Sequence, residues 1–184
     1  MPVAKAGYAL IDGKLPFAVV PGNHDYDWAW KDGKRIRTGG LATFRSLFGA
    51  NADFFRNRRW YVAAHAGGAD SAQIFGAGGY CFLHIGLQYD PPSASLAWAR
   101  NVILRYRGLP TIVTTHRFLD NDAERPADAI AAGRGAALDA NSPAQVWDKL
   151  ISRNDQIFLV LSGHYTSQAR RTDRNRQGHA VYQV

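Results

Sequence analysis

Ile157-Phe-Leu-Val-Leu161 runs straight into Ser162-Gly-His164, and the same arrangement occurs twice more. Phe17-Ala-Val-Val20 runs into Pro21-Gly-Asn-His-Asp25, and Thr111-Ile-Val-Thr-Thr115 runs into His116. Short β-rich runs that stop at a polar residue predict buried strands, each delivering a side chain to the rim of a sheet. Open α/β sheets place their chemistry at that rim. Imidazole nitrogen and amide oxygen are ligands suited to a borderline divalent metal. The three runs therefore predict an α/β fold with a metal site where their ends meet.

The rest of the chain fits helices and strands around these runs. Residues 1–15 have little apolar periodicity and read as a ragged lead-in. Lys31-Asp-Gly-Lys-Arg35 reads as a polar loop. Leu41 to Phe48 presents Leu41, Phe44, Leu47 and Phe48 on one side of a short helix. Trp60 to Ala64 is a weak strand, Gly67 to Gly79 a glycine-rich loop or loose hairpin, and Tyr80 to Gln88 a strand stopped by Asp90-Pro-Pro-Ser93. Ser95 to Tyr106 carries Leu96, Ala99, Val102, Ile103 and Tyr106 at helical spacing, closed by Gly108 and Pro110. Residues 117–140 read as irregular. Pro143 opens a second clear helix with Ser142 as its cap and Val146, Trp147, Leu150 and Ile151 on its apolar face. Gln168–Thr172 and Ala180–Val184 pair across a turn at the end of the chain. Strands in both directions are expected in one domain spanning 1–184.

The Gly-Asn-His-Asp tetrapeptide is the most specific of the three sites. Glycine permits a sharp exit from the strand. Asn23 offers a carbonyl oxygen to a metal, His24 is free for proton transfer, and Asp25 fixes the histidine or the turn by hydrogen bonding. Pro21-Gly-Asn-His-Asp25 resembles the GNH[DE] motif of the calcineurin-like metallophosphoesterases. Thr114-Thr-His116 resembles that family's isolated ligand histidine, and Ser162-Gly-His-Tyr-Thr166 its terminal GHxH motif. The likeness runs from about Phe17 to Val184.

The resemblance implies an αββα sandwich and hydrolysis of phosphate mono- or diesters by a metal-activated water. It implies divalent ions of the manganese, iron, zinc or nickel class, two in the family. Asn23, His116 and His164 would hold the second metal, His24 would stabilise the phosphoryl group and protonate the leaving oxygen, and Asp25 would support them. Two departures matter. The family's DxH and GDxxD motifs have no counterpart, because the twenty or so residues before Gly22 hold one aspartate, Asp12, and no histidine. Thr166 stands where the final GHxH histidine belongs. The expectation is thus a partial sandwich lacking an N-terminal βαβ portion, with apolar strand surface uncovered. At most one ion is expected, in a site of three neutral ligands and no carboxylate. The alternative is a non-catalytic, degenerate binding module on the same fold.

Composition bounds the other readings. At 184 residues and 46% hydrophobic, the chain is long and apolar enough for one sizeable core. No run approaches the ~20 apolar residues of a membrane span, and the start has no signal-peptide pattern. The net charge of +7 favours anionic partners, phosphorylated small molecules among them. The scattered arginines match no nucleic-acid-binding pattern, so solvated surface is their default, Arg170 and Arg171 included. GxSxG and P-loop patterns are absent. Cys81, the single cysteine, reads as a small buried hydrophobe. His65 and His179 read as solvated, and His84, which shares a strand face with Tyr80 and Phe82, as buried and structural. Trp28 and Trp30 read equally as packing and as lining for a substrate cleft.

Overall fold

A computed structural model describes residues 2–130 and 139–184. The elements are α1 (Pro2–Ala9), β1 (Trp28–Lys31), β2 (Lys34–Arg37), α2 (Ala42–Phe48), β3 (Tyr61–His65), β4 (Asp70–Ala77), β5 (Tyr80–Leu87), α3 (Ser93–Arg105), β6 (Thr111–Thr115), α4 (Pro143–Lys149), β7 (Ile157–Leu161), β8 (Arg171–Arg174) and β9 (Ala180–Gln183). Seven strands form one mixed sheet in the order β3-β4-β5-β6-β7-β9-β8, and β1 and β2 form a separate hairpin. Strands β5, β6, β7 and β9 run parallel, and antiparallel neighbours close both edges. The chain is therefore α/β with a mixed sheet. Among the described residues no helix is long and apolar enough to cross a membrane.

Pleating sorts each strand onto two faces. Ala72, Leu83, Ile85, Val113, Val160 and Val181 point to one side and meet Leu96, Ala99, Val102 and Ile103 of α3 and Val146 of α4 in an aliphatic core. Helix α4 starts where its sequence says. The Ser142 hydroxyl accepts from the Gln145 N–H, and the Gln145 side chain accepts from the Ser142 N–H, a reciprocal capping box. The opposite face is more open. Phe82 stacks on Phe75 with centroids 5.4 Å apart and tilts against Phe158 at 6.1 Å. On the same side Leu161 and Tyr182 stay exposed.

A second core is aromatic. Tyr26, Phe44, Phe48, Phe54, Phe55 and Tyr89 are buried together, with Tyr8, Phe17, Trp60 and Tyr61 packed around them. Most of its members come from turns and short helices, not from the large sheet.

Five expectations need correction. Residues 2–9 form α1, which docks Tyr8 against Phe17 and Phe48. Phe17 to Val20 is not a strand, although it is apolar and β-branched. It crosses the open face of the large sheet, where Val20 sits so close to Gly86 that a Cβ there would lie 2.9 Å from it. A segment crossing a face meets side chains and has no strand edge to pair with. The polar loop at 31–35 is the β1–β2 hairpin, turning through Asp32 (φ 50°) and Gly33 (φ 71°). Positive φ at both central residues matches the twist of paired strands. Gly67 to Gly79 contains β4, an eight-residue strand whose first half is buried. Cys81 is exposed, at the turn end of the β4–β5 pair where the neighbouring residues of both strands are exposed too. The part of the irregular 117–140 stretch that falls at 131–138 lies outside the described residues.

Candidate metal centre

The ends of β6 and β7 and the turn at 22–25 meet as their sequences predict. The Nε2 atom of His116 lies 3.0 Å from Asn23 Oδ1 and 3.1 Å from His164 Nδ1. These residues are far apart in sequence and follow three separate apolar runs. Nε2 carries one hydrogen or one lone pair, so it completes one ordinary hydrogen bond, not two. A single Nε2 therefore faces two polar atoms at hydrogen-bond distance at once. Donors held about 2.0–2.2 Å from a common cation, at tetrahedral to octahedral angles, lie about 3.0–3.4 Å apart. The observed separations fall in that range. Burial, then the neighbouring His164, hold the His116 imidazole below its ordinary pKa. That keeps its lone pair available.

Local structure explains how each side chain is presented. A Cβ at Gly22 would lie 2.9 Å from His116 Cε1 and Nδ1. Glycine is needed there for the ring that lies against it. Its φ is not positive, so the sharp exit expected from its conformational freedom is not what it supplies. The Asp25 carboxylate accepts the Gly22 N–H at 2.8 Å and closes the turn, so of its two expected roles the structure shows turn fixation. Two residues on, the Asp27 carboxylate accepts from the Ala42 and Thr43 N–H groups and anchors the turn to the start of α2. Those bonds hold its carboxyl below the usual range against the opposing effect of burial. Tyr26, between them, is buried in the aromatic core. Asn23 is 7% exposed.

His164 has φ 72°, and the Tyr165 N–H donates to the Gly163 carbonyl at 2.9 Å across it. A three-residue turn with positive φ at a non-glycine residue is strained. The Gly163 N–H, donating to the His116 carbonyl at 3.0 Å, ties the turn to β6. Tyr89 and Tyr165 wall the imidazoles, with Tyr165 edge-on to His164 at 4.9 Å and Tyr89 5.5 Å from His116.

The sequence reading passed over Arg117. Its side chain is 1% exposed and pairs with Asp90 at 3.1 Å and Asp128 at 3.1 Å, and its Nε donates to the Tyr165 hydroxyl at 3.2 Å. Burial opposes its charge, but Tyr165 and Asp90 outweigh it and raise its pKa. One guanidinium thus joins the residues after β5, β6 and β7. Nothing in a single arginine after His116 foretells this, since its partners are distant in sequence.

His24 is exposed, and its charge is among the influences that lower the His116 pKa. It lines a neighbouring cleft of about 500 Å³ with Asp25, Tyr26, Asp27, Trp28 and Arg35. Thr166 is exposed. Among the described residues no group of three or more His, Cys, Asp or Glu side chains is arranged to hold a metal. The donor set here is two imidazoles and one amide.

The remaining histidines are engaged away from this cluster. His84 bridges the Gln73 side chain and the Thr114 hydroxyl at 2.9 and 2.8 Å, and burial lowers its pKa to about 4. His65 is not solvated as its polar surroundings suggest. It contacts the buried Asp70 carboxylate at 2.9 Å and stacks on Trp98. Asp70 also accepts from Ser95 and Gln88, and so pins α3 to the sheet. His179 is exposed and pairs with Asp155. Arg171, on the hairpin at the chain end, is engaged by its neighbour Asp173 and by Glu124 from the stretch after β6.

The chain is 24% identical over 162 residues to the uncharacterized protein YvnB of Bacillus subtilis (strain 168), a match covering 86% of this chain and 10% of the relative. It thus spans about a tenth of that relative's length. No family model matches the chain, and no solved structure matches it.

Proposed function

We propose that this chain carries part of a metal-dependent phosphoesterase centre, acting on phosphate mono- or diesters. The supporting observation is the convergence of Asn23 Oδ1, His116 Nε2 and His164 Nδ1, two of them 3.0 and 3.1 Å from the third. The donors are neutral and hard to borderline, which suits a manganese-, iron-, zinc- or nickel-class divalent ion. Such an ion, when bound, supplies positive charge to a phosphoryl oxygen and acidifies a bound water. Asn23, His116 and His164 would hold it, with Gly22 leaving room for the His116 ring. Asp25 keeps the turn closed. Exposed His24, which lines the adjoining cleft, would hold a proton on its imidazole for the leaving oxygen. Arg35, another lining residue of that cleft, offers a fixed positive charge to an anionic substrate. The fold half of the proposal is a sandwich, in which a second sheet would lie against the face bearing Phe82, Phe158 and Tyr182.

A second reading, a non-catalytic module that binds one ion, is favoured by the lack of a carboxylate in the donor set. Calorimetric titration with manganese separates the two. One equivalent should bind, and His164→Ala should weaken it at least about tenfold. Gly22→Ala should weaken it as well, since its methyl occupies the space of the His116 ring. Absence of binding ends the metal reading altogether. Binding without turnover of bis-p-nitrophenyl phosphate selects the second reading. Where turnover is measured, His24→Ala should slow it by about 10²–10⁴-fold.

A further inference from the structure

The β1–β2 hairpin lies beside the proposed centre and takes no part in either core. Its sequence, Trp28-Ala-Trp-Lys-Asp-Gly-Lys-Arg-Ile-Arg37, carries four cations against one carboxylate. The register pairs Trp30 directly with Arg35, so the two share a face with Trp28. The Arg35 guanidinium lies 4.4 Å from the centre of the Trp28 ring. Trp30, two residues along the same face, is 76% exposed. Its Cα is about 7 Å from that of Trp28, the repeat of alternate residues on a strand. Lys31 and Lys34, exposed at the turn, are the next pair in the register and so belong to the opposite face. The inner end of this face opens into the cleft that His24 lines, because Trp28 and Arg35 are cleft walls too.

A ring, a guanidinium and a second ring at this interval are suited to an extended chain of alternating flat and anionic groups. We propose that the hairpin binds single-stranded nucleic acid, with a base stacked on Trp30, a backbone phosphate on Arg35, and one phosphodiester entering the cleft at His24. This deepens the phosphoesterase reading, on which it rests, by naming the substrate as an unpaired polynucleotide. Base–indole stacking tolerates every sequence, and the cationic side chains follow the backbone. A simple polyanion surface would have no use for the indoles. A flat membrane surface would not reach the concave cleft on which Trp28 and Arg35 converge.

The test is fluorescence anisotropy of a short labelled oligothymidylate with the whole chain in EDTA, so that the outcome is independent of the metal. Inorganic polyphosphate and anionic phosphatidylglycerol vesicles serve as competitors. The oligonucleotide should bind, with quenching of tryptophan emission, and polyphosphate of equal charge should compete at least about tenfold more weakly. Trp30→Ala should weaken binding about tenfold. Arg35→Gln should reduce the slope of log affinity against log salt by about 0.7, the share of one backbone contact on a single strand. Both substitutions lie on an exposed hairpin, and circular dichroism should be unchanged. Equal competition by polyphosphate, displacement by vesicles, or an unaltered affinity in Trp30→Ala overturns the proposal. Oligonucleotide binding without any metal binding would remove the phosphoesterase reading and leave the binding surface standing. Metal-dependent diester hydrolysis without oligonucleotide binding would do the reverse.

Discussion

The aliphatic core and the aromatic core are made by different means. Leu83, Ile85, Val113 and Val160 are inward positions of regular strands, and α3 and α4 close over them. Phe44, Phe48, Phe54 and Phe55 come from a short helix and the turns after it, and Tyr26 from the turn that carries Asn23. The candidate centre draws on both. His116 and His164 follow strands of the aliphatic layer, whereas Asn23 and His24 stand on the aromatic one. Large rings fill space that irregular backbone leaves, and they do so with few residues. The difference teaches that one ligand of the centre is only as well placed as a core built from loops.

The sharpest way to break this comparison is to truncate each core. Phe44→Ala should cost about 3–5 kcal/mol and Leu83→Ala about 2–5 kcal/mol, read from chemical denaturation. Both should unfold in one transition, since β5 ends at Leu87 in the aliphatic core and Tyr89, two residues on, is in the aromatic one. Two transitions would mean that the cores are independent units.

The open face of the large sheet supplies a smaller effect. His84 sits there, in a pocket also lined by Phe17 and Val20. Its folded pKa is about 4, against an ordinary value near 6.5. Between these values the unfolded chain takes up the proton and the folded chain does not. Stability from this group is therefore complete above pH ~6.5 and falls as pH drops toward ~4, by about 3 kcal/mol in all. His84→Gln should flatten denaturation midpoints across that window, and a slope that survives the substitution would place its origin elsewhere. The smallest effect belongs to the aliphatic side alone. Ser142→Ala removes the cap of α4 and should cost about 1 kcal/mol, leaving manganese affinity as it was.

The regular half of the molecule was legible in the sequence because periodicity reports it. The α3 stripe at Leu96, Ala99, Val102 and Ile103 and the Ser142-Pro143 start of α4 each follow a local rule. So do the β6 and β7 runs, which carry His116 and His164 to one rim of the sheet. Phe17–Val20 shows the limit of such rules. Its composition is that of a strand, yet pairing requires a neighbouring edge, which composition does not report. Strand β4 was hidden by Gly67, Gly68, Gly76, Gly78 and Gly79 at its ends, although Ala72 and Ile74 face the core between them. Asp32-Gly33 was a readable hairpin signal, outweighed by the charges around it. The Arg117 ion pairs were beyond reach, because each partner is brought in by tertiary structure.

Cys81, the second residue of β5, has a practical consequence. The only thiol of the chain faces solvent about 20 Å along the strand from the end nearest His116. A maleimide dye attached there is a distance marker well clear of the imidazoles. In an oxidising buffer, the same sulfur sets a ceiling on covalent self-association: two chains join through one bond, and no third can follow.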